Sequence, residues 1–163
     1  MKRIGLISDT HNYLHPELER IFTHCDEIWH AGDFGSIEVA DRLRAFKPLR
    51  GVYGNIDGQD IRREFPAYLR FSCEALDVLM MHIGGYPGHY QGSAKKLIDE
   101  QAPGLFISGH SHILRVMPDK QLGLLHLNPG AAGKSGFHKL ITMMRFTVDV
   151  DKVRELEIVE FNR

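Results

Sequence analysis

Short apolar runs alternate with amphipathic stretches over most of the chain, and this pattern predicts a mixed α/β fold. The run 4–7 is apolar on both faces, as is typical of a strand buried in a parallel sheet. The stretch 36–46 has Val39, Ala40 and Leu43 on one side, as is typical of a helix that buries one face. Strands are predicted at 4–7, 27–31, 49–53, 76–81, 105–107 and 124–127, and helices at 16–25, 36–46 and 93–101.

The end of the chain has a different pattern, with two long strand-like stretches and no helix between them. Residues 139–148 and 153–161 predict an antiparallel hairpin that turns at 149–152, whereas the charged residues 57–70 predict a loop. Strands alternating with helices, followed by strands alone, are typical of a mixed α/β sandwich that begins with parallel strands. The chain shows no repeat, low-complexity tract or linker, so we expect one domain over residues 1–163.

Composition excludes several classes of function. Of the 163 residues, 43% are hydrophobic and 25% are charged, and the net charge of −1 offers no basic field for nucleic acid. No apolar stretch is long enough to span a bilayer, and no N-terminal signal is visible. Cys25 and Cys73 lack metal-type spacing and fit a reducing compartment. We therefore expect a cytoplasmic protein that requires neither nucleic acid nor a membrane.

Seven residues with metal-ligand side chains each lie at or shortly after the end of an apolar run. They are Asp9, His11, Asp33, Asn55, His82, His110 and His112. Ligand crevices form where the carboxyl ends of parallel strands meet, so we expect these side chains to converge. In Asp-x-His and His-x-His the two ligands can face one way in extended backbone. Imidazoles, carboxylates and one amide oxygen suit first-row transition ions rather than Ca²⁺.

These motifs, taken in order, resemble those of a known family. Asp9-x-His11, Gly32-Asp33, Gly54-Asn55, His82 and Gly109-His110-x-His112 look like the motifs of the calcineurin-like metallophosphoesterases. The resemblance covers nearly the whole chain, and the short length with Asn128-Pro129-Gly130 resembles the small, single-domain bacterial and archaeal phosphodiesterase branch. It implies a four-layer αββα sandwich with mixed sheets and a pair of divalent transition-metal ions. Mn²⁺ is the expected ion, with Zn, Fe, Ni or Co as alternatives.

The resemblance also implies a role for each ligand. Asp9, His11 and His112 would hold the first ion. Asn55, His82 and His110 would hold the second ion, and Asp33 would bridge both. A metal-bridging hydroxide would attack a small phosphoester in line, and the two ions would clamp the attacking and leaving oxygens. The implied catalytic residues are Asp33, Asn55, His82 and His110.

Three positions depart from the family pattern. Ile56 stands where many relatives have a histidine near the leaving group, so a proton donor is missing there. That loss favours a phosphodiester over an alkyl monoester as the substrate. Ile83 stands where relatives have glycine, which predicts a different local loop, and Ala131 replaces a serine that could contact phosphate.

Other interpretations stay open. The same fold serves as a non-catalytic scaffold subunit of the retromer coat, and a metal-storage or sensor module would bind ions without turnover. Small relatives often self-associate, so a homo-oligomer is also open. Gly133-Lys134-Ser135 is similar to part of a P-loop, but the first glycine of that motif would fall at Asn128, and a strand follows instead of a helix. A backbone nest at 130–133 that contacts a phosphate is the remaining alternative.

The histidines outside the ligand set have weaker signals. His30 and His126 lie within predicted strands and are expected to be packed, with support of a metal ligand as the alternative. His89 and His138 lie in polar or glycine-rich loops, where contact with substrate is the alternative to solvent exposure.

Overall fold

Two five-stranded β-sheets face each other in this structure, a computed structural model that describes residues 1–163. The elements in chain order are β1 (Lys2–Ile7), α1 (Leu18–Ile21), β2 (Glu27–His30), α2 (Ile37–Phe46), β3 (Leu49–Gly51), α3 (Gln59–Glu64), β4 (Tyr68–Cys73), β5 (Leu76–Met81), α4 (Gly92–Glu100), β6 (Leu105–Ile107), β7 (Leu114–Asp119), β8 (Leu124–Pro129), β9 (Leu140–Asp149) and β10 (Lys152–Asn162). None of these helices has the length and apolar composition needed to cross a bilayer.

The parallel strands of each sheet are neighbours, which brings their carboxyl ends to one edge. In the first sheet, ordered β10-β9-β1-β2-β3, the strands β1, β2 and β3 run parallel. In the second sheet, ordered β4-β5-β6-β8-β7, the strands β5, β6 and β8 run parallel. All other neighbouring pairs are antiparallel, including the terminal hairpin of β9 and β10. The predicted mixed sheets, the parallel start and the terminal hairpin are confirmed.

The main hydrophobic core lies between the two sheets, and the helices cover their outer faces. Trp29 and Met80 are fully buried in the central core, one from each sheet. Leu43 of α2 and Ile61 of α3 pack against the outer face of the first sheet, and Ile98 of α4 packs against the second. Burial of apolar area on both sides of each sheet is the dominant favourable term in such a fold. This four-layer αββα arrangement agrees with the predicted fold class.

The prediction of a loop at residues 57–70 is wrong, because this segment contains α3 and the start of β4. The helix α3 has only six residues and buries only Ile61, so its helical period is too short to be recognised in the sequence. The strand β4 is an edge strand with one buried residue, Cys73, and its apolar pattern is correspondingly weak. The strand β7, which the sequence did not predict, is also an edge strand and contains Pro118.

The helix predicted at 16–25 is shorter in the structure, where α1 spans Leu18–Ile21. Its C-terminal end tightens: the N–H of Phe22 still bonds the carbonyl of Leu18, but the N–H of Cys25 bonds the carbonyl of Phe22, three residues back. This switch from four-residue to three-residue spacing ends the α-helix in turns. Ser36 lies at the N-cap of α2, but its side chain makes no capping hydrogen bond.

Candidate metal centre

The loops after the parallel strands bring all seven sequence-predicted ligands together at one edge of the sandwich. Asp9, His11 and His112 form one group and Asp33, His82 and His110 form another, and within each group the ligand atoms lie within 4.8 Å of one another. Asn55 joins the second group, because its Oδ1 lies 3.1 Å from His82 Nε2 and 3.0 Å from His110 Nδ1. The structure therefore contains two adjacent candidate metal-binding groups, one for each expected ion.

Asp33 lies between the two groups. Its Oδ2 is 3.3 Å from His11 Nε2, which belongs to the first group, and 3.2 Å from His82 Nε2, which belongs to the second. One carboxylate oxygen thus faces both groups. A bridging ligand needs this geometry.

Two ligand atoms of the first group have no hydrogen-bond partner although they are buried. These atoms are Asp9 Oδ1 and His11 Nε2. Buried polar atoms are almost always paired in folded proteins, because leaving one unpaired costs about 1–3 kcal/mol. Carboxylate and imidazole donors suit a first-row transition ion, so the residues present fit such a group.

In three of the ligands the second polar atom is held by the protein, so the first is left to face the centre. Asp9 Oδ2 accepts hydrogen bonds from the hydroxyl of Ser8 at 2.6 Å and from the N–H of His110 at 3.1 Å. The N–H of Ile56 donates to Asp33 Oδ1 at 3.1 Å. His82 donates its Nδ1–H to the carbonyl of Ala31 at 2.7 Å, which leaves the lone pair of Nε2 free to bind a metal ion. Such outer contacts orient metal ligands and fix their tautomers.

The glycine that precedes three of the ligands is required by the packing of the centre. A Cβ on Gly54 would overlap the carboxylate of Asp33, and a Cβ on Gly32 would lie 2.6 Å from His82 Nδ1. A Cβ on Gly109 would overlap the hydroxyl of Ser8. The Gly-Asp, Gly-Asn and Gly-His pairs in the sequence therefore have a physical cause: each glycine lets a second loop approach closely.

Five of the seven ligands have left-handed backbone conformations, which are uncommon for residues other than glycine. The φ angles are 54° for Asp9, 45° for His11, 61° for Asp33, 70° for His110 and 61° for His112. Residues in such conformations cost about 1–3 kcal/mol each and are found mainly at functional sites. Local conformational preference alone would not produce this arrangement, so the surrounding fold imposes it.

Close packing of carboxylates and imidazoles shifts their pKa values in opposite directions. Burial alone would raise the pKa of Asp9, but the neighbouring His11 and His112 imidazoles outweigh it and lower the pKa. The pKa of Asp33 is lowered in the same way, with His82 outweighing burial. The pKa of His11 is raised, chiefly by Asp9, and that of His82 is raised because Asp33 and Asp9 outweigh burial. The carboxylates and imidazoles therefore stabilise one another's charged forms.

Asp57 contributes to the centre without facing it, and sequence reasoning gave it no role. Its buried carboxylate accepts hydrogen bonds from the N–H groups of Asp33 at 3.0 Å, Phe34 at 3.2 Å, Gly35 at 2.9 Å and Gly54 at 2.8 Å. These donors come from the loops after β2 and β3, so one side chain fixes both loops. The only sequence signal is an aspartate three residues after Gly54, where it can accept from that N–H.

The remaining histidines take different positions. His30 is fully buried, its Nδ1 accepts from the N–H of Gly32 at 3.1 Å, and burial lowers its pKa to about 3, so it is neutral and braces the loop that carries Asp33. His126 is buried against Phe106 in the second sheet. His89 is exposed, whereas His138 contacts His112.

Comparison with known proteins identifies the family. A model of the calcineurin-like phosphoesterase superfamily domain matches residues 1–151, so the chain belongs to this superfamily. A probable metallophosphoesterase of Methanocaldococcus jannaschii is 31% identical over 139 residues, which are 78% of this chain and 67% of the relative.

Solved structures with little sequence identity share the fold. Vps29 of Chaetomium thermophilum superposes with a TM-score of 0.76 at 13% identity over 100% of both chains. Vps29 of Entamoeba histolytica in complex with Zn²⁺ gives a TM-score of 0.73 at 17% identity over 98% of both chains. An archaeal phosphodiesterase gives 0.72 at 22% identity over 96% of this chain and 99% of that chain. The predicted resemblance to small members of the family is confirmed, and these likenesses concern the fold alone.

We predict that Gly54→Ala damages the second metal group while the fold is kept. The added Cβ would overlap the carboxylate and the backbone nitrogen of Asp33, so the carboxylate must turn away from the position between the groups and its loop must shift locally. Metal content and Mn²⁺ affinity measured by calorimetry should fall, whereas circular dichroism should be unchanged. Gly58→Ala is the matched control, because a Cβ there would lie 3.6 Å from its nearest neighbour, Asp60 Oδ1. Parent-like Mn²⁺ binding by Gly54→Ala would contradict this account of the motif.

His126 provides a prediction of pH dependence outside the metal centre. Burial lowers its pKa from 6.5 to about 4, so the folded state binds its proton less readily than the unfolded state does. This contribution to the free energy of unfolding is fully present above pH 6.5 and is lost as the pH falls towards the folded pKa of about 4. The free energy of unfolding of the parent, relative to His126→Leu, should therefore decrease when urea melts are repeated from about pH 7 down to about pH 5. A pH-independent difference would show that His126 is not kept neutral by burial.

Proposed function

We propose that this protein is a dimetal-dependent phosphoester hydrolase. The observation that carries the proposal is Asp33 Oδ2, which faces His11 of one group and His82 of the other. In this proposal Asp9, His11 and His112 would hold the first ion, Asn55, His82 and His110 would hold the second, and Asp33 would be shared by both. When bound, the two ions supply an activated water and positive charge for in-line displacement at phosphorus. Mn²⁺ is the proposed ion, with Zn, Fe, Ni and Co as alternatives that also accept mixed nitrogen and oxygen ligands.

The charges of the ligand set suit an anionic substrate. The set contains only two carboxylates, those of Asp9 and Asp33, and its other five ligands are neutral when they bind a cation. Asn55 offers an oxygen to the second group without adding negative charge. Two dications would therefore keep a net positive charge, which attracts a phosphate group and stabilises the charge that develops on it.

The surroundings of the second group favour a small diester. Ile56 is 46% exposed, and its N–H bonds the carboxylate of Asp33, so an aliphatic side chain lies beside the centre where no proton can be donated. Ile83, which follows His82 of the same group in the chain, is 40% exposed. Exposed aliphatic side chains suit an uncharged ester group better than a second negative charge. The proposed catalytic unit is the whole domain of residues 1–163, and the proposed reaction requires neither nucleic acid nor a membrane.

A non-catalytic scaffold is the second candidate. The observation in its favour is the same set of exposed isoleucines, which could contact a protein partner, together with the fold shared with Vps29. The buried, unpaired atoms of Asp9 and His11 favour a bound metal ion, but Vps29 of Entamoeba histolytica also binds Zn²⁺, so these atoms do not separate the two candidates. Turnover of an ester separates the two candidates.

We predict that Asp33→Ala is the most damaging single substitution in the centre. It removes the oxygen shared by both groups, so two cations would repel each other without a bridging charge. Elemental analysis should find two ions per parent chain and fewer in the variant, and hydrolysis of bis(p-nitrophenyl) phosphate should be lost. Chelation should abolish the activity of the parent, and Mn²⁺ should restore it.

Asp41→Ala, at an exposed carboxylate on α2, is the matched control. Two bound ions and full activity in Asp33→Ala would show that the bridging assignment is wrong. Two bound ions in a parent that hydrolyses no phosphoester would favour the scaffold or a metal-storage module.

We further predict that the parent depends strongly on the quality of the leaving group. Because Ile56 cannot protonate the departing oxygen, alkyl esters should react far more slowly than nitrophenyl esters, since general-acid assistance is worth about 10²–10⁴-fold. Ile56→His should raise turnover of poor leaving groups more than that of good ones. The measurement is the rate over a series of diesters and monoesters with leaving groups of graded pKa.

Ile83→His serves as the control, because it places an imidazole on a second exposed isoleucine, which does not occupy the position of the missing histidine. A rate that does not vary with leaving-group pKa in the parent, and is unchanged in Ile56→His, would mean that another residue such as His89 donates the proton.

A further inference from the structure

The glycine-rich segment 130–138 contacts the first metal group at both of its ends. At one end it docks on the loop that follows β1: the N–H of Ala132 bonds the carbonyl of Ser8 at 2.8 Å, and the N–H of Gly133 bonds the carbonyl of Asp9 at 3.1 Å. A Cβ on Gly133 would overlap the carbonyl of Thr10, so this approach requires glycine. The segment, named here the glycine-rich strap, therefore holds the backbone of a metal ligand.

At its other end the glycine-rich strap presents His138 to a second ligand of the same group. His138 Nε2 lies 2.7 Å from the carbonyl of Gly133, and a carbonyl only accepts, so Nε2 carries the hydrogen. In a neutral ring Nδ1 is then an acceptor. It lies 3.3 Å from His112 Nδ1, which must therefore be the donor.

This chain of hydrogen bonds determines which nitrogen of His112 is free. If Nδ1 carries the hydrogen, the lone pair is on Nε2. His112 Nε2 lies 3.1 Å from the unpaired Asp9 Oδ1, on the side of the first metal group. The free nitrogen of His112 and the free oxygen of Asp9 thus face the same point.

The position of His138 is fixed by its neighbours. Gly136 has a φ of 126°, and a Cβ there would lie 2.5 Å from His112 Nδ1, so the two imidazoles pack directly over glycine backbone. The guanidinium of Arg163 donates to the carbonyls of Gly136 and, at 3.0 Å, His138. The two imidazole planes meet at 78° with their centroids 5.1 Å apart. The packing against His112 and the hydrogen bonds from Arg163 together hold His138 in place.

We propose that His138 is a positioning residue for the first metal ion, which it supports by fixing the tautomer and orientation of His112. The second group does not depend on it, because His82 is oriented by the carbonyl of Ala31. The inference rests on the proposed dimetal centre, but it does not require turnover. Loss of an orienting partner of a metal-bound histidine typically weakens metal affinity about 10–100-fold, and here one of the two sites should be affected.

Two conservative substitutions separate positioning from general structure. The amide oxygen introduced by His138→Asn would lie near the position of Nδ1 and can accept from His112, whereas His138→Gln places its amide near Nε2 and loses that acceptor. Calorimetric titration of the metal-free protein with Mn²⁺ should show one site weakened about 10–100-fold in His138→Ala and His138→Gln, and near-parental affinity in His138→Asn. His24→Ala, at an exposed histidine between α1 and β2, is the control.

A spectroscopic measurement tests the tautomer directly. In long-range ¹H–¹⁵N spectra of the metal-free protein at alkaline pH, His112 should be Nδ1-protonated in the parent and in His138→Asn. It should shift towards the Nε2-protonated form in His138→Ala. An unchanged tautomer, equal weakening of both sites, or no difference between His138→Asn and His138→Gln would overturn the inference. A parent that binds no metal would overturn the proposed function instead. The tautomer of His112 would then still show whether His138 orients it.

Discussion

The position of one carboxylate oxygen, Asp33 Oδ2, is the constraint on which the centre depends. His11 reaches it from the loop after β1 and His82 from the loop after β5, so the two imidazoles belong to different sheets. The oxygen can face both only if the sheets are packed at a fixed separation at this edge. The central core, with Trp29 and Met80 fully buried between the sheets, sets that separation. The function thus depends on core packing as directly as on the ligands themselves.

The same requirement explains why so many neighbours of Asp33 have restricted identities. The Asp57 carboxylate accepts from the N–H of Asp33, and the N–H of Ile56 donates to the other carboxylate oxygen of Asp33. Gly54 leaves room for that carboxylate. Its backbone is left-handed, with a φ of 61°. The left-handed backbone of Asp33 is unfavourable by itself, and a strained loop of this kind would relax if it stood alone. The sandwich compensates for the strain through burial elsewhere, as is usual where a rigid scaffold carries a site.

Much of the fold could be predicted from the sequence, because buried parallel strands have unmistakable apolar runs. The ligands could be predicted for a related reason: polar residues such as Asp9 and His82 directly after such runs must lie at the strand ends. The helix α3 and the strands β4 and β7 could not, because a short helix and exposed edge strands have weak periodicity. Asp57 and His138 were missed as supports because the candidate ligands that they hold, Asp33 and His112, lie in other loops, and contacts between loops leave little trace in the local pattern.

The two ends of the centre differ in their exposure, and this difference separates metal retention from substrate contact. Asp9 is fully buried, and its partners His11 and His112 are half-buried, with the glycine-rich strap packed against His112. Asn55 and His110 of the second group are exposed. A phosphoester would therefore approach from the second group, where the side chain beside it is Ile56. In the proposed function, the more buried end would determine how tightly an ion is held, and the more exposed end would determine which ester group can leave. Because different loops build the two ends, substitutions in the strap and at Ile56 should act on separate properties of the same centre.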